Sequence, residues 1–203
     1  MSVDDNIKVF VLSSGVVVIE TGGTFSAEKY DDIYSPPNTA NILSESPLPS
    51  VLNELGLGFT EQYDITQVKR QDSKLFSVSD LQIIYEHLKE KIFKNVVIIH
   101  GTDALIDNTN LFQHIIDTDH KNNFEPNIVF TGAYIPIANG FDQTDGLNNL
   151  KLAIEIAGKK TKEYCSLVLN GKDYDNPKGL EKRPVPNARE EGTLPYEVAR
   201  VQP

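Results

Sequence analysis

The chain predicts an α/β fold, an open and mostly parallel sheet flanked by helices, and three observations carry that expectation. Runs of consecutive apolar residues at Val16–Ile19, Asn95–Ile99, Asn127–Phe130 and Ser166–Leu169 lack polar alternation, the mark of strands buried on both faces. Stretches with helical spacing separate them, so that strand and helix alternate along the chain. The runs also end in short polar turns rich in glycine and hydroxyl side chains: Thr21-Gly22-Gly23-Thr24, His100-Gly101-Thr102-Asp103 and Thr131-Gly132-Ala133.

Taken in order, Ile7–Leu12 is apolar apart from Lys8 and is followed by Ser13-Ser14-Gly15. The segment is either the first strand of an amino-terminal β-hairpin with Val16–Ile19 or part of one strand with a glycine bulge. Residues 26–38 are polar, with two tyrosines (Tyr30 and Tyr34) and Pro36-Pro37, and read as a long loop of the kind that forms lids. Between residues 39 and 57, Ile42, Leu43, Leu48, Val51, Leu52 and Leu55 suggest a helix that Pro47 and Pro49 keep short. A strand is expected over Tyr63–Val68, then a polar loop through Lys74. A helix capped by Ser79 is expected to turn Leu81, Ile84, Leu88 and Ile92 inward. Further helices are expected near Ile106–Ile116 and through Leu147, Leu150, Ile154 and Ile156. The fold class is therefore Rossmann-like, with a domain over residues 1–170. The remainder, 171–203, holds Pro177, Pro184, Pro186, Pro195 and Pro203 among many charges and shows no apolar periodicity, so an irregular tail is expected there.

Composition narrows the partners. The 203 residues carry a net charge of −10 and no long basic run, which argues against a nucleic-acid backbone as partner. The single cysteine, Cys165, rules out an intrachain disulfide and sits in an apolar run as a core thiol. His87, His100, His114 and His120 show no metal-ligand spacing, and no cofactor is expected. The acidic start, Met1-Ser2-Val3-Asp4-Asp5, is unlike a signal peptide, and no apolar run reaches membrane-spanning length, so a cytoplasmic protein is expected.

In a parallel sheet the polar turns converge at the carboxyl ends of the strands, where ligands bind in open α/β folds. Thr24 is then either a nucleophile or a capping hydroxyl after a strand. Thr102 and Asp103, with a lysine, form either a proton relay or the start of a helix.

The three turns, together with Thr144-Asp145-Gly146-Leu147-Asn148-Asn149-Leu150, resemble in order and spacing the signature blocks of the bacterial-type L-asparaginase and glutaminase-asparaginase family over roughly residues 16–170. The resemblance implies an amidohydrolase that releases ammonia from asparagine or a related small amide through a threonine acyl-enzyme. It matches Thr24 to the nucleophile, and Thr102, Asp103 and Lys182 (Lys178 as fallback) to a Thr-Lys-Asp triad. Tyr34 matches the lid tyrosine, with Tyr30 less well placed, and Ser73 matches the holder of the substrate carboxylate. Asp72, Gly101 and Ala133 fall in the same substrate-contacting blocks, with backbone groups at Thr102 and Ala133 near the scissile amide.

Three departures accompany the resemblance. Lys74 stands where the family usually has a glutamine, serine or similar polar residue beside the substrate, so it either favours an acid over an amino-acid ammonium or faces solvent. Ala104 stands where the family has a further threonine. The chain stops at Pro203, near where the family continues into a second domain, so an amino-terminal domain alone is expected, completed by a homo-oligomer or a partner chain. The alternative to an enzyme is a catalytically impaired domain that binds a small acid or a partner.

Overall fold

The computed structural model describes residues 5–119, 124–159, 165–185 and 194–201; Met1–Asp4, His120, Pro186 and Pro203, which entered the sequence reading, lie outside them. Strand β1 (Asn6–Leu12) and strand β2 (Val17–Glu20) pair antiparallel from Lys8 opposite Glu20 to Val11 opposite Val17, so the first segment is a hairpin and not a bulged strand. Helix α1 (Leu48–Glu54) is the short helix expected, with Pro47 at its N-cap and Pro49 in its first turn, where a missing N–H leaves no bond unmade. Strand β3 (Phe59–Lys69) outruns the expected Tyr63–Val68. It is an edge strand paired only to β1, and its exposed residues from Phe59 to Gln62 give no apolar signal.

Helix α2 (Val78–Lys91) is capped by Ser77, not Ser79. The Ser77 hydroxyl accepts from the Asp80 N–H while the Asp80 carboxylate accepts from the Ser77 N–H, a reciprocal capping box. Ile92 is not on the buried face either: it is the left-handed C-cap residue and is 68% exposed. Strand β4 (Asn95–Ile99), helix α3 (Leu105–Thr118), strand β5 (Asn127–Thr131), helix α4 (Gly146–Lys159) and strand β6 (Ser166–Leu169) follow as the alternation predicts. Residues beyond 170 were expected to lack regular structure. They contain strand β7 (Lys172–Tyr174), strand β8 (Leu180–Pro184) and strand β9 (Tyr196–Arg200). Only Leu180 and Val198 of β8 and β9 are buried, too few apolar residues to register as strands in the sequence.

The main sheet has seven strands in the order β3-β1-β2-β4-β5-β6-β7, and β8 pairs with β9 as a separate two-stranded ribbon. The central strands β2, β4, β5 and β6 are parallel. Their register sets Glu20 beside Ile99, Ile99 beside Thr131, and Thr131 beside Val168, so four strands end on one line. Alternate residues of these strands feed two apolar layers. Val17, Ile19, Val96, Ile98 and Phe130 pack with Leu81 and Leu88 of α2 and Phe112 of α3. Val18, Val97, Ile99 and Val129 pack with Leu52 of α1 and Leu150 and Ala153 of α4 on the other face. The sheet is thus covered on both sides, as its non-alternating strands require. Cys165 is buried in the first layer, its thiol pushed up by desolvation, and among the described residues no helix is long and apolar enough to cross a membrane.

Candidate active site

The turns after β2 and β4 meet backbone to backbone. Gly23 has φ of 74°, and a Cβ there would lie within 3.0 Å of the Gly101 backbone. Only glycine serves both conditions. Beneath the turns lies a neutral platform. The Thr21 hydroxyl donates to the Ile99 carbonyl at 2.8 Å and lies 2.6 Å from His100 Nδ1. Its one proton is thus committed, and His100 must donate to it from Nδ1. The other ring nitrogen, Nε2, then accepts from Asn108 Nδ2 at 2.8 Å. Both ring positions are matched by a neutral imidazole, and complete burial pushes its pKa down to about 3. His100 is therefore a support for the turn and not a proton carrier. Ser73 Oγ accepts from the Ala104 N–H at 3.1 Å, tying the loop after β3 to the start of α3.

Above this platform opens a cavity of about 420 Å³ lined by Thr24, Tyr30, Asp72, Lys74, Thr102, Asp103 and Lys182, among others. Lys182 reaches it from β8. Its Nζ donates to Asp103 Oδ1 at 2.7 Å and to Thr102 Oγ1 at 3.5 Å. The same ammonium lies 4.3 Å from the centroid of the Tyr196 ring and 5.2 Å from that of Tyr134, so two aromatic faces hold its charge in place. Lys74 approaches Asp103 from the opposite side, Nζ to Oδ2 at 2.5 Å, and also donates to the Asn38 carbonyl at 3.0 Å. Burial alone pushes the Asp103 carboxyl up, but the hydrogen-bonded ammonium groups of Lys182 and Lys74 outweigh it and hold the group below its ordinary range. The hydrogen bond to Asp103 correspondingly raises the pKa of Lys74.

The loop over the cavity is pinned at several points. Ala27 and Ile42 form a β-bridge, and Asp72 accepts from the N–H groups of Ala40 at 3.1 Å and Lys74 at 3.0 Å. Asn139 grips the backbone of Tyr30 twice, accepting from its N–H at 3.0 Å and donating to its carbonyl at 2.9 Å. Tyr30 is thereby 8% exposed and lines the cavity with Thr24, while desolvation raises its pKa.

The structure thus brings Thr24, Thr102, Asp103, Lys182, Asp72 and Lys74 to one cavity. Tyr34 is elsewhere: it lines a neighbouring depression of about 670 Å³ beside Asp145 and Asn149. The tyrosine of this loop that lines the cavity with Thr24 is Tyr30, whose backbone Asn139 holds. Ser73, Gly101 and Ala133 are buried and are not part of the cavity lining. Lys178, the fallback for Lys182, is also outside the cavity lining; its backbone bonds to Asn176 and Arg200. Asp145, in the fourth sequence block, is desolvated and pushed up to about 6, and it accepts from the N–H groups of Tyr134 at 2.9 Å and Ile135 at 3.0 Å. Sequence reasoning missed Asn139, Tyr134 and Tyr196. A lone asparagine and two tyrosines in separate segments carry no spacing signal.

Fold and cavity define a class: an α/β domain with hydroxyl, amine and carboxylate groups gathered where its parallel strands end. The family model described as Asparaginase, N-terminal matches residues 15–175, and the chain belongs to that family. No curated protein sequence matches it. Among solved structures, it is similar to L-asparaginase I from Vibrio cholerae O1 biovar eltor, at 16% identity and a TM-score of 0.60, with 91% of this chain and 50% of that one covered. It is also similar to a probable cytoplasmic L-asparaginase from Campylobacter jejuni, at 17% identity and a TM-score of 0.55, with 82% of this chain and 48% of that one covered. The chain spans about half the length of each. At these identities the likeness is one of fold.

Proposed function

We propose that the domain is an amidohydrolase that releases ammonia from a small carboxamide, with Thr24 as nucleophile. The observation that supports this best is the placement of Thr24, Thr102, Asp103 and Lys182 around one cavity, with Lys182 Nζ bridging Asp103 Oδ1 at 2.7 Å and Thr102 Oγ1 at 3.5 Å. In this reading Thr24 Oγ1 adds to the amide carbon, its proton passes to the leaving nitrogen, the C–N bond breaks and ammonia departs. Water then adds to the acyl-threonine, and cleavage of the C–O bond returns the free acid and the Thr24 hydroxyl. Thr102 and Lys182 form the proton path for the water, oriented by Asp103. Tyr30, which lines the cavity with Thr24, takes the part that the resemblance gives to Tyr34. Because the chain spans half the length of the asparaginases it matches, this reading includes completion of the site by a second copy or a partner chain.

The test is ammonia release over a panel of asparagine, glutamine and short amides. Thr24→Ala is expected to lower turnover at least about a hundredfold, as loss of an attacking group does. Equal rates in wild type and variant would overturn the assignment of the nucleophile.

A further inference from the structure

We propose that Lys74 sets substrate class by occupying the position at Asp103 where a substrate ammonium would bind, so that the site takes an ω-monoamide of a short dicarboxylic acid that has no α-amino group. The inference rests on the amidohydrolase reading but concerns recognition, which is measurable without turnover.

The argument is a count of acceptors. Asp72 and Asp103 are the carboxylates lining the cavity among the described residues. Asp103 has one oxygen bound by Lys182 at 2.7 Å and the other by Lys74 at 2.5 Å. Asp72 accepts from the Ala40 N–H on one oxygen and the Lys74 N–H on the other. Each of the four carboxylate oxygens therefore already has a protein donor. An arriving ammonium would meet Lys74 Nζ, a like charge, already seated at Asp103 and at the Asn38 carbonyl. A carboxylate meets the opposite situation. An ammonium has three donors, and these two partners take two of those on Lys74, leaving one to point at a ligand oxygen. The Lys74 backbone is anchored by its N–H, which donates to Asp72 in a short 3₁₀ turn, and the ammonium is held at Asp103 and the Asn38 carbonyl. The cavity is thus arranged to grip an acid and to deny a zwitterion its cationic contact.

The test uses the full chain and the paired substrates succinamate and L-asparagine, which differ by the α-amino group. Wild type is expected to favour succinamate by at least about tenfold in kcat/KM, the order of one charge-assisted hydrogen bond. Lys74→Gln is expected to shift that ratio toward asparagine at least about tenfold, mainly through KM, while Lys74→Arg keeps the preference for the acid. Binding of succinate and L-aspartate, followed by calorimetry, gives the readout independent of catalysis. Tighter succinate binding in wild type, lost in Lys74→Gln, supports the proposal even if no amide is hydrolysed, an outcome that would sink the amidohydrolase reading alone. A wild-type preference for the amino-bearing partner of either pair, a ratio unmoved by Lys74→Gln, or no binding and no turnover with any of the four ligands would overturn it.

Discussion

Two carboxylates at the carboxyl ends of the strands are paired with cations, and they differ in everything else. Glu20, the last residue of β2, accepts from Arg70 Nη1 at 2.8 Å, from the Ser26 hydroxyl at 2.5 Å and from the Ser46 hydroxyl. Arg70 Nη2 goes on to the carbonyls of Leu43 and Ser44, both at 3.0 Å. The two side chains are 0% and 1% exposed. Asp103 is 40% exposed, and its two lysines come from a turn after β3 and from the outlying ribbon strand β8. The comparison teaches that carboxylate–cation pairs serve two purposes according to burial. A sealed pair fixes one segment, here residues 43–46, against the sheet. A pair open to the cavity keeps charges where a ligand can meet them, and contributes little to holding the fold.

That contrast can be broken by measurement. The largest effect on stability is expected at the sealed pair. Arg70→Met leaves the Glu20 charge buried with hydroxyl partners only and should cost about 3–5 kcal/mol by urea unfolding. A loss under about 1 kcal/mol would place it with the surface pairs and end the distinction. Next comes the neutral platform between the two. His100 binds its proton far less readily when folded, at about 3, than when unfolded, near 6.5. The folded state therefore holds fewer protons, and stability is lost as pH falls through that window. Between pH 7 and pH 5 this one group should remove about 2 kcal/mol from wild type, and His100→Gln should lack that component. Equal pH dependence in the two proteins would show that the imidazole is charged or exposed. The smallest change is expected from Lys182→Met, below about 1 kcal/mol in stability, while ammonia release falls at least about a hundredfold. A stability loss as large as that of Arg70→Met would make Asp103 and Lys182 a structural pair.

The fold was legible where burial on both faces forces uninterrupted apolar runs: β2, β4, β5 and β6 fall where their sequences place them. It was illegible where one side of a strand meets water. The amino-terminal end of β3 and the ribbon β8–β9 are built largely of polar residues, and their pairing partners, not their own patterns, make them strands. In the cavity, residues attached to strand ends were readable from motifs, Thr24, Thr102 and Asp103 among them. Asp72 and Lys74, on the loop after β3, were readable too, but the tyrosine delivered by the long loop was not. Tyr30 and Tyr34 are four positions apart on one polar loop, and Tyr30 is held by Asn139, 109 residues further along the chain, through backbone hydrogen bonds that leave no trace in local composition. The cap of α2 shows the same at smaller scale: Ser77 and Ser79 look alike until the side chain of Asp80 selects one.

The contact between Gly23 and Gly101 has a bearing on how such chains change over time. A side chain at Gly23 would collide with backbone atoms of the neighbouring turn, whether or not anything is hydrolysed above it. Selection for folding alone would therefore keep the glycine skeleton of both turns, and a descendant that had abandoned chemistry would still display it. The hydroxyl of Thr24 and the amine of Lys182 enjoy no such shelter, since neither lies in the backbone contact. A library of variants sorted only for folded protein should retain Gly23 while letting Thr24 and Lys182 drift, and a library sorted for ammonia release should retain all three.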